Sequence, residues 1–274
     1  MPPITLTTDF GFHDAYVAAM KGVILGIDPA ASIVDVCHCV GPQNVLQAAF
    51  VLGTVHDYFP AGTVHIVVVD PEVGGSRRAI ALASPRAFFL APDNGVLSYV
   101  LGTADAGQGE AGRPLPVDLP AGFQAVEITN PDYWRQPVSS TFHGRDIFAP
   151  VAAYLSLGVP LSAFGGAITQ VHAFPIPHPR RVEGGVWVGH VVHIDGFGNV
   201  ITDFAAGDLP AGGFQVQIAA QTVDAVGNIY AEAEVNQPLA LIGSTGYLEI
   251  AVRNGSAASL LGVRVGDEVW VRGI

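Results

Sequence analysis

An α/β fold followed by a smaller all-β domain is predicted by three features of this 274-residue chain. Apolar strand-like runs alternate with helix-period segments up to residue 173, and the helical period then disappears. A proline-rich stretch, "FPIPHPRR" at 174–181, falls where the pattern changes. The expected division is an N-terminal α/β domain over 1–173, a linker over 174–182 and a C-terminal β-barrel-like domain over 183–274.

Taken in order, "PITLTTDF" reads as a strand ending at Asp9, "DAYVAAMKGVILGI" as a helix and "ASIVDVCH" as a second strand. "QNVLQAAFVLGTVHDYF" places Val45, Ala48, Ala49, Leu52 and Val55 on one helical face, and "GTVHIVVVD" returns as a near-continuous apolar strand. This β-α-β-α-β order implies a mainly parallel sheet flanked by helices. Such sheets bind ligands beyond the carboxyl ends of their strands, where Asp9 and Asp70 fall. "RAIALAS" and "RAFFLAP" are short strands, and the Gly-, Ala- and Pro-rich stretch 102–122 reads as a long surface loop. "DIFAPVAAYLSLG" closes the first domain as a helix, with Pro150 near its first turn, where a missing amide proton costs little. Beyond 182 come "GVWVGHVVHID", "NVITDF", "FQVQIA", "LALIGSTGYLEIAV" and "DEVWVRG", strands separated by Gly, Asn and Asp.

Bulk composition excludes several classes. Half the residues are hydrophobic and 13% are charged, which excludes disorder and favours burial of surface between subunits. A formal charge of −12 repels phosphate backbones and anionic lipid, so no nucleic acid partner is expected. No apolar run is long enough to cross a bilayer, and "MPPITLTTDF" lacks a signal-peptide pattern; a cytoplasmic protein with no membrane partner is expected. Cys37 and Cys39 in "DVCHCVG" would share one strand face with no third or fourth ligand nearby, so both are expected to be buried, reduced thiols.

Five segments carry residues suited to chemistry. Asp9, in "TTDFG", could accept hydrogen bonds from vicinal ribose hydroxyls or could cap the following helix. In "VVDPEVGGSRRAI", Asp70 and Arg77 stand seven apart across a glycine-bearing turn, so a carboxylate–guanidinium contact is easy while Arg78 points elsewhere; a surface ion pair bracing a loop has the same signature. His143, in "SSTFHGRDIFAP", precedes a helix that Asp146 could cap, and an imidazole beside glycine can take a proton near neutrality. "HIDGFGNVITDF" groups Asp195, Phe197 and Asn199 as acceptors, donors and a stacking face, or as an ordinary hairpin turn. "GSTGYLEIAVRNGSA" places Ser244 and Thr245 in a turn and Arg253, Asn254 and Gly255 after a strand, a run able to read a flat heterocycle. Asp9, His13, Asp14, Asp70 and His143 lack a recognisable metal-ligand spacing, so no metal is expected.

Together these segments, with "APDNGVL" and "RNGSAA", resemble the S-adenosyl-L-methionine hydroxide adenosyltransferases, hydrolytic relatives of the fluorinating and chlorinating adenosyl enzymes, in family order over nearly the whole chain. The resemblance implies a catalytic triad of Asp70, Arg77 and His143, a ribose-binding Asp9, and methionine and adenosine contacts from Asp195, Phe197 and Asn199. It also implies contacts from Ser244, Thr245, Arg253 and Gly255, with Thr141 and Phe142 lining the transfer centre. The halogenating relatives carry Tyr and Ser where this chain has His143 and Gly144, and the fluorinating enzyme has Trp where Gln43 stands. These departures imply water as the nucleophile. Glu72, in "VDPEVGG", replaces a usual glycine and adds a carboxylate near the triad. The family further implies a homotrimer with sites between the larger domain of one subunit and the smaller domain of its neighbour, a small-molecule substrate and no cofactor. Two alternatives stand beside water-driven turnover: a halide-dependent enzyme of the same fold, and a binding module without turnover.

Overall fold

The computed structural model describes residues 2–102, 113–224 and 226–274. The chain divides into two units, Met1–Ile176 and Pro177–Ile274.

The first unit runs β1 (Ile4–Thr8), α1 (Tyr16–Ile27), β2 (Ile33–Cys37), α2 (Val45–Val55), β3 (Val64–Val68), β4 (Ala79–Ala83), β5 (Phe88–Pro92), α3 (Ser98–Leu101), β6 (Leu115–Asp118), β7 (Gln124–Glu127), α4 (Ala149–Ser156), β8 (Ala167–Ile168) and β9 (Gln170–Ala173). Seven strands form one sheet in the order β2-β1-β3-β5-β4-β7-β8. Strands β2, β1, β3 and β5 are parallel, as the β-α-β-α-β pattern implies. β4 then runs antiparallel to both β5 and β7, because a short turn joins β4 to β5 as a hairpin. This reversal matters for the site: it starts β4 at the sheet edge where β3 and β5 end.

Strand β3 is buried on both faces, and its alternation divides the core. Ile66 and Val68 pack with Val17, Met20 and Ile24 of α1 and with α4, whereas Val67 and Val69 pack with Ala48 and Leu52 of α2. Asn44 starts α2 by accepting the Gln47 N–H, which supplies a partner for one of the helix's orphan donors. Val55 is half-buried, and Phe50, outside the expected face, is buried.

The second unit contains β10 (Arg180–Arg181), β11 (Val186–Ile194), β12 (Val200–Ala205), β13 (Phe214–Ile218), β14 (Gln221–Val223), β15 (Pro238–Ile242), β16 (Tyr247–Val252), α5 (Ala257–Leu261) and β17 (Glu268–Gly273). Its antiparallel sheet follows the order β14-β13-β17-β11-β12-β16-β15 and curls into a nearly closed barrel, with β14 against β15. Val191, Phe204, Val216, Leu248, Ile250, Val269 and Val271 fill its interior.

Several expectations are corrected. "LALIGSTGYLEIAV" is two strands rather than one, β15 and β16, joined at the turn expected at Ser244 and Thr245. Within 102–122, residues 115–118 form β6, paired with β9; residues 103–112 lie outside the described residues. The cysteines are not both buried: Cys37 ends β2 half-buried, and Cys39, beyond the strand, is exposed. Among the described residues no helix is long and apolar enough to cross a membrane.

Candidate active site

Register places the first two acidic groups side by side. Thr8 pairs with Val68 across the parallel β1–β3 ladder, so Asp9 and Asp70 leave the sheet at the same edge. The chain after Asp70 turns through an amide contact from Gly75 to the Glu72 carbonyl, leaving Glu72 exposed. Gly74 has φ +77°, and a Cβ there would lie 2.2 Å from the Ser140 carbonyl oxygen, so only glycine lets this turn rest on the loop before His143. The turn delivers Arg77 to the start of β4, back at the edge it left.

There the expected contact forms. Arg77 Nε lies 3.1 Å from each Asp70 carboxylate oxygen, and Nη2 donates to Oδ2. Both side chains are only 4% exposed, which places this pair outside the class of weak surface ion pairs. Arg78 points away, to Asp93. Arg77 Nη2 is also 2.8 Å from His143 Nδ1. A guanidinium has donors and no acceptor, so Nδ1 accepts, and the imidazole is the neutral tautomer protonated on Nε2. Burial pushes the His143 pKa below its ordinary value, and the Arg77 charge adds to this against the opposing Asp70 and Asp146 carboxylates.

His143 leads a single π-type turn, Gly144–Phe148, that runs directly into α4. Gly144 keeps that turn close to Met20, Phe142 and Val68. Asp146 does not cap the helix as expected. It sits inside the turn, fully buried, and accepts from the Ser139 N–H, Arg145 and Arg135, which pins the loop that carries His143. Thr141 is exposed in that loop, with its amide bonded to Ser139 Oγ. Phe142 packs edge-on against Phe10 and Tyr16, with the Arg145 guanidinium 4.9 Å above its ring.

Asp9 is not a helix cap either, since Ala15 occupies the N-cap of α1 and residues 10–14 intervene. Its Oδ2 accepts the Gln43 amide at 2.8 Å. Gln43 holds φ 63°, a left-handed conformation that turns its N–H towards the carboxylate. The two loops are further tied by Thr8 Oγ1 to His38 Nδ1 at 2.8 Å and by the Gly11 amide to the His38 carbonyl at 2.7 Å. Asp9 is thus a fixed acceptor at a strand end.

The second unit holds the remaining candidates. Asp195 organises the β11–β12 turn: Oδ1 accepts the amides of Phe197 and Asn199, and Oδ2 accepts Asn199 Nδ2 at 3.0 Å. The turn projects Phe197, 82% exposed, into solvent. Ser244 and Thr245 are exposed in the β15–β16 turn. The Arg253 guanidinium donates to the Ala233 carbonyl at 3.0 Å, and Gly255 bridges Val252. Sequence reading missed Glu249, a buried carboxylate on β16 that accepts from Tyr230 Oη at 2.8 Å. Burial raises its pKa, with the Asp195 charge adding to the shift; a lone acid within "GYLEIAV" was the available signal.

A concavity of about 880 Å³ on the second unit, lined by residues that include Gln217, Trp270 and Arg272, contains none of these candidates. Among the described residues no group of three or more His, Cys, Asp or Glu is arranged to hold a metal ion.

Comparison with known proteins gives concordant matches. Residues 4–165 match the SAM hydroxide adenosyltransferase N-terminal domain, and residues 189–270 match the corresponding C-terminal domain. The chain is 39% identical to the (R)-S-adenosyl-L-methionine hydrolase of Salinispora tropica, over 98% of this chain and 97% of that protein. It is 28% identical to a fluorinase of an Actinoplanes species, over 98% and 97%. A crystal structure of an uncharacterized conserved protein from Thermotoga maritima superposes with a TM-score of 0.84 at 34% identity, covering 98% of this chain and 99% of that one.

Proposed function

Because the chain belongs to the SAM hydroxide adenosyltransferase family, we propose that it hydrolyses S-adenosyl-L-methionine to adenosine and L-methionine, using Asp70, Arg77 and His143 to generate the nucleophile. The observation that carries this reading is the contact between Arg77 Nη2 and a neutral His143 Nδ1, braced by Asp70.

The substrate's sulfonium already activates its 5′ carbon, and methionine departs as a neutral thioether, so no leaving-group acid is needed. The difficulty lies in the nucleophile, since hydroxide is scarce at neutral pH. A water that takes the place of Nη2 at the Nδ1 lone pair accepts an N–H from Arg77 and donates its own proton to Nδ1. The imidazole becomes imidazolium, and the guanidinium charge stabilises the oxygen left behind. That oxygen forms the bond to the 5′ carbon as the carbon–sulfur bond breaks, and the imidazolium then returns its proton to solvent. Asp70 holds the guanidinium in place throughout.

Asp9 holds the ribose hydroxyls, and Gln43, Thr141 and Phe142 line the same side. Asp195, Phe197, Asn199, Ser244, Thr245, Arg253 and Gly255 contact adenine and methionine. We place the enzyme in the cytoplasm as a homotrimer whose sites join the larger unit of one subunit to the smaller unit of a neighbour. Exposed Phe12 and Tyr16, which follow β1 at the edge where Asp9 and Asp70 emerge, support a subunit contact. The decisive experiment is turnover in oxygen-18 water with chloride or fluoride also present. Label in the adenosine 5′ hydroxyl is the expected result; 5′-halo-adenosine would instead mark a halide-dependent enzyme, and ligand binding without methionine release a binding module.

A further inference from the structure

The turn that carries the triad's acid and guanidinium is gripped at both ends by one dipeptide, Asp93–Asn94, which immediately follows β5. Asn94 Nδ2 donates to the carbonyl of Val69, the residue before Asp70, at 2.9 Å. At the other end, the Asp93 amide donates to the carbonyl of Arg78, the residue after Arg77, at 2.9 Å. Asp93 Oδ2 also accepts from Arg78 Nε at 2.9 Å and from Nη2. The grip is itself anchored. Asp93 is 6% exposed, its Oδ1 accepts the His172 amide at 2.7 Å, and its Oδ2 is 2.9 Å from His172 Nδ1.

We propose that Asp93 and Asn94 are positioning residues for the reaction, a two-point clamp that sets the separation of Asp70 and Arg77 and so keeps Nη2 of Arg77 beside Nδ1 of His143. The physical reason lies in the topology. The turn between Asp70 and Arg77 is largely exposed and carries Gly74 and Gly75, so it has little intrinsic stiffness, and it leads from β3 into β4, which are not neighbours in the sheet. β5 lies between them, so the segment leaving β5 is the natural place from which to hold both. Neither the Asp93 nor the Asn94 side chain hydrogen-bonds or ion-pairs with Asp70, Arg77 or His143. Their effect passes through the Val69 backbone and through Arg78. Misplacement of reacting groups by about 1 Å can cost on the order of a hundredfold in rate.

This inference rests on the hydrolase reading for its kinetic arm, and on the geometry and the charges around His143 for its second arm. In the full-length protein, Asn94→Ala removes one grip without adding charge. The kinetic arm measures adenosine release: kcat is expected to fall about tenfold or more, with KM for S-adenosyl-L-methionine changed by less than about threefold. The second arm is an NMR titration of the His143 ring. Arg77, Asp70 and Asp146 are the charged groups acting on that ring. Release of Arg77 relaxes its depressing effect, so the His143 pKa is expected to rise relative to wild type. Asp93→Asn is the second variant. Loss of a negative charge alone would lower the His143 pKa, whereas loosening the clamp would raise it, so an upward shift supports the clamp. If folded Asn94→Ala keeps both wild-type kcat and the wild-type His143 titration, the clamp is overturned. A wild-type protein that releases no adenosine, with the His143 shift still present in the variants, would sink the hydrolase reading and leave the clamp standing.

Discussion

The Nη2 atom of Arg77 lies 2.8 Å from Nδ1 of His143, although the two residues are 66 apart in sequence. A neutral imidazole can be a base only above its own pKa, and burial together with the guanidinium holds that pKa below the ordinary histidine value of 6.5. The acid limb of kcat is therefore expected below pH 6.5, with activity lost as pH falls through the lowered value. Rates of adenosine release across pH 4.5–8 check this. A limb centred at or above 6.5 would remove His143 from the role of base.

Substitutions should divide between turnover and binding. His143→Ala removes the proton acceptor, and Arg77→Ala removes the charge that stabilises hydroxide; each should lower kcat about a hundredfold or more while leaving substrate affinity nearly intact. Arg77→Ala also strands the buried Asp70 carboxylate, at a cost of about 3–5 kcal/mol in stability. Arg77→Lys keeps the charge and loses the two-point grip on Asp70, so it should stay folded yet remain strongly impaired. Asp9→Ala should act the other way, raising KM about tenfold with a smaller change in kcat. Steady-state kinetics and calorimetric binding on the same preparations separate the two patterns.

Subunit mixing tests the trimer. His143→Ala disables the first unit and Asp195→Ala the second. If each site draws its two parts from different subunits, co-refolding the two inactive proteins at equal amounts should restore roughly a quarter of wild-type activity. A mixture that stays inactive while forming hybrid trimers would show that each site is built within one chain.

A buried histidine away from the site should govern acid stability. His65, wholly buried in β3, accepts or donates one hydrogen bond at Nδ1 to Thr5 Oγ1, and its pKa is lowered to about 4, chiefly by burial. Its folded-state pKa lies below the unfolded value near 6.5, so its contribution is complete above pH 6.5 and is lost as pH falls towards 4. The difference amounts to about 3 kcal/mol. Thermal unfolding midpoints at pH 7, 5.5 and 4.5 should fall in that order, and His65→Gln should flatten the trend.

Much of this was legible before any coordinates. Period-2 and period-3.6 patterns located the first five elements, and "GTVHIVVVD" announced a strand buried on both faces by its unbroken apolar run. The pairing of Asp70 with Arg77 followed from seven residues and a glycine turn. The cap is the alternative that fails at Asp9 and at Asp146, because an acid before a helical pattern looks the same whether it faces the helix or another loop. Glu249 and Asn94 went unassigned for a related reason: each is a single polar residue whose partner is remote in sequence.

The local conformations, the strand ends where carboxylates emerge, and the turn that returns Arg77 to Asp70 each depend on neighbours within a few residues, and so can be read along the chain. That β4 runs antiparallel, that Thr8 stands beside Val68, and that His143 reaches Arg77 with its Nδ1 lone pair are facts of the folded molecule. Those relations are set by strand register and by packing of α4 on the sheet. Both are sums of many small contacts between distant segments, so no single stretch of sequence contains them.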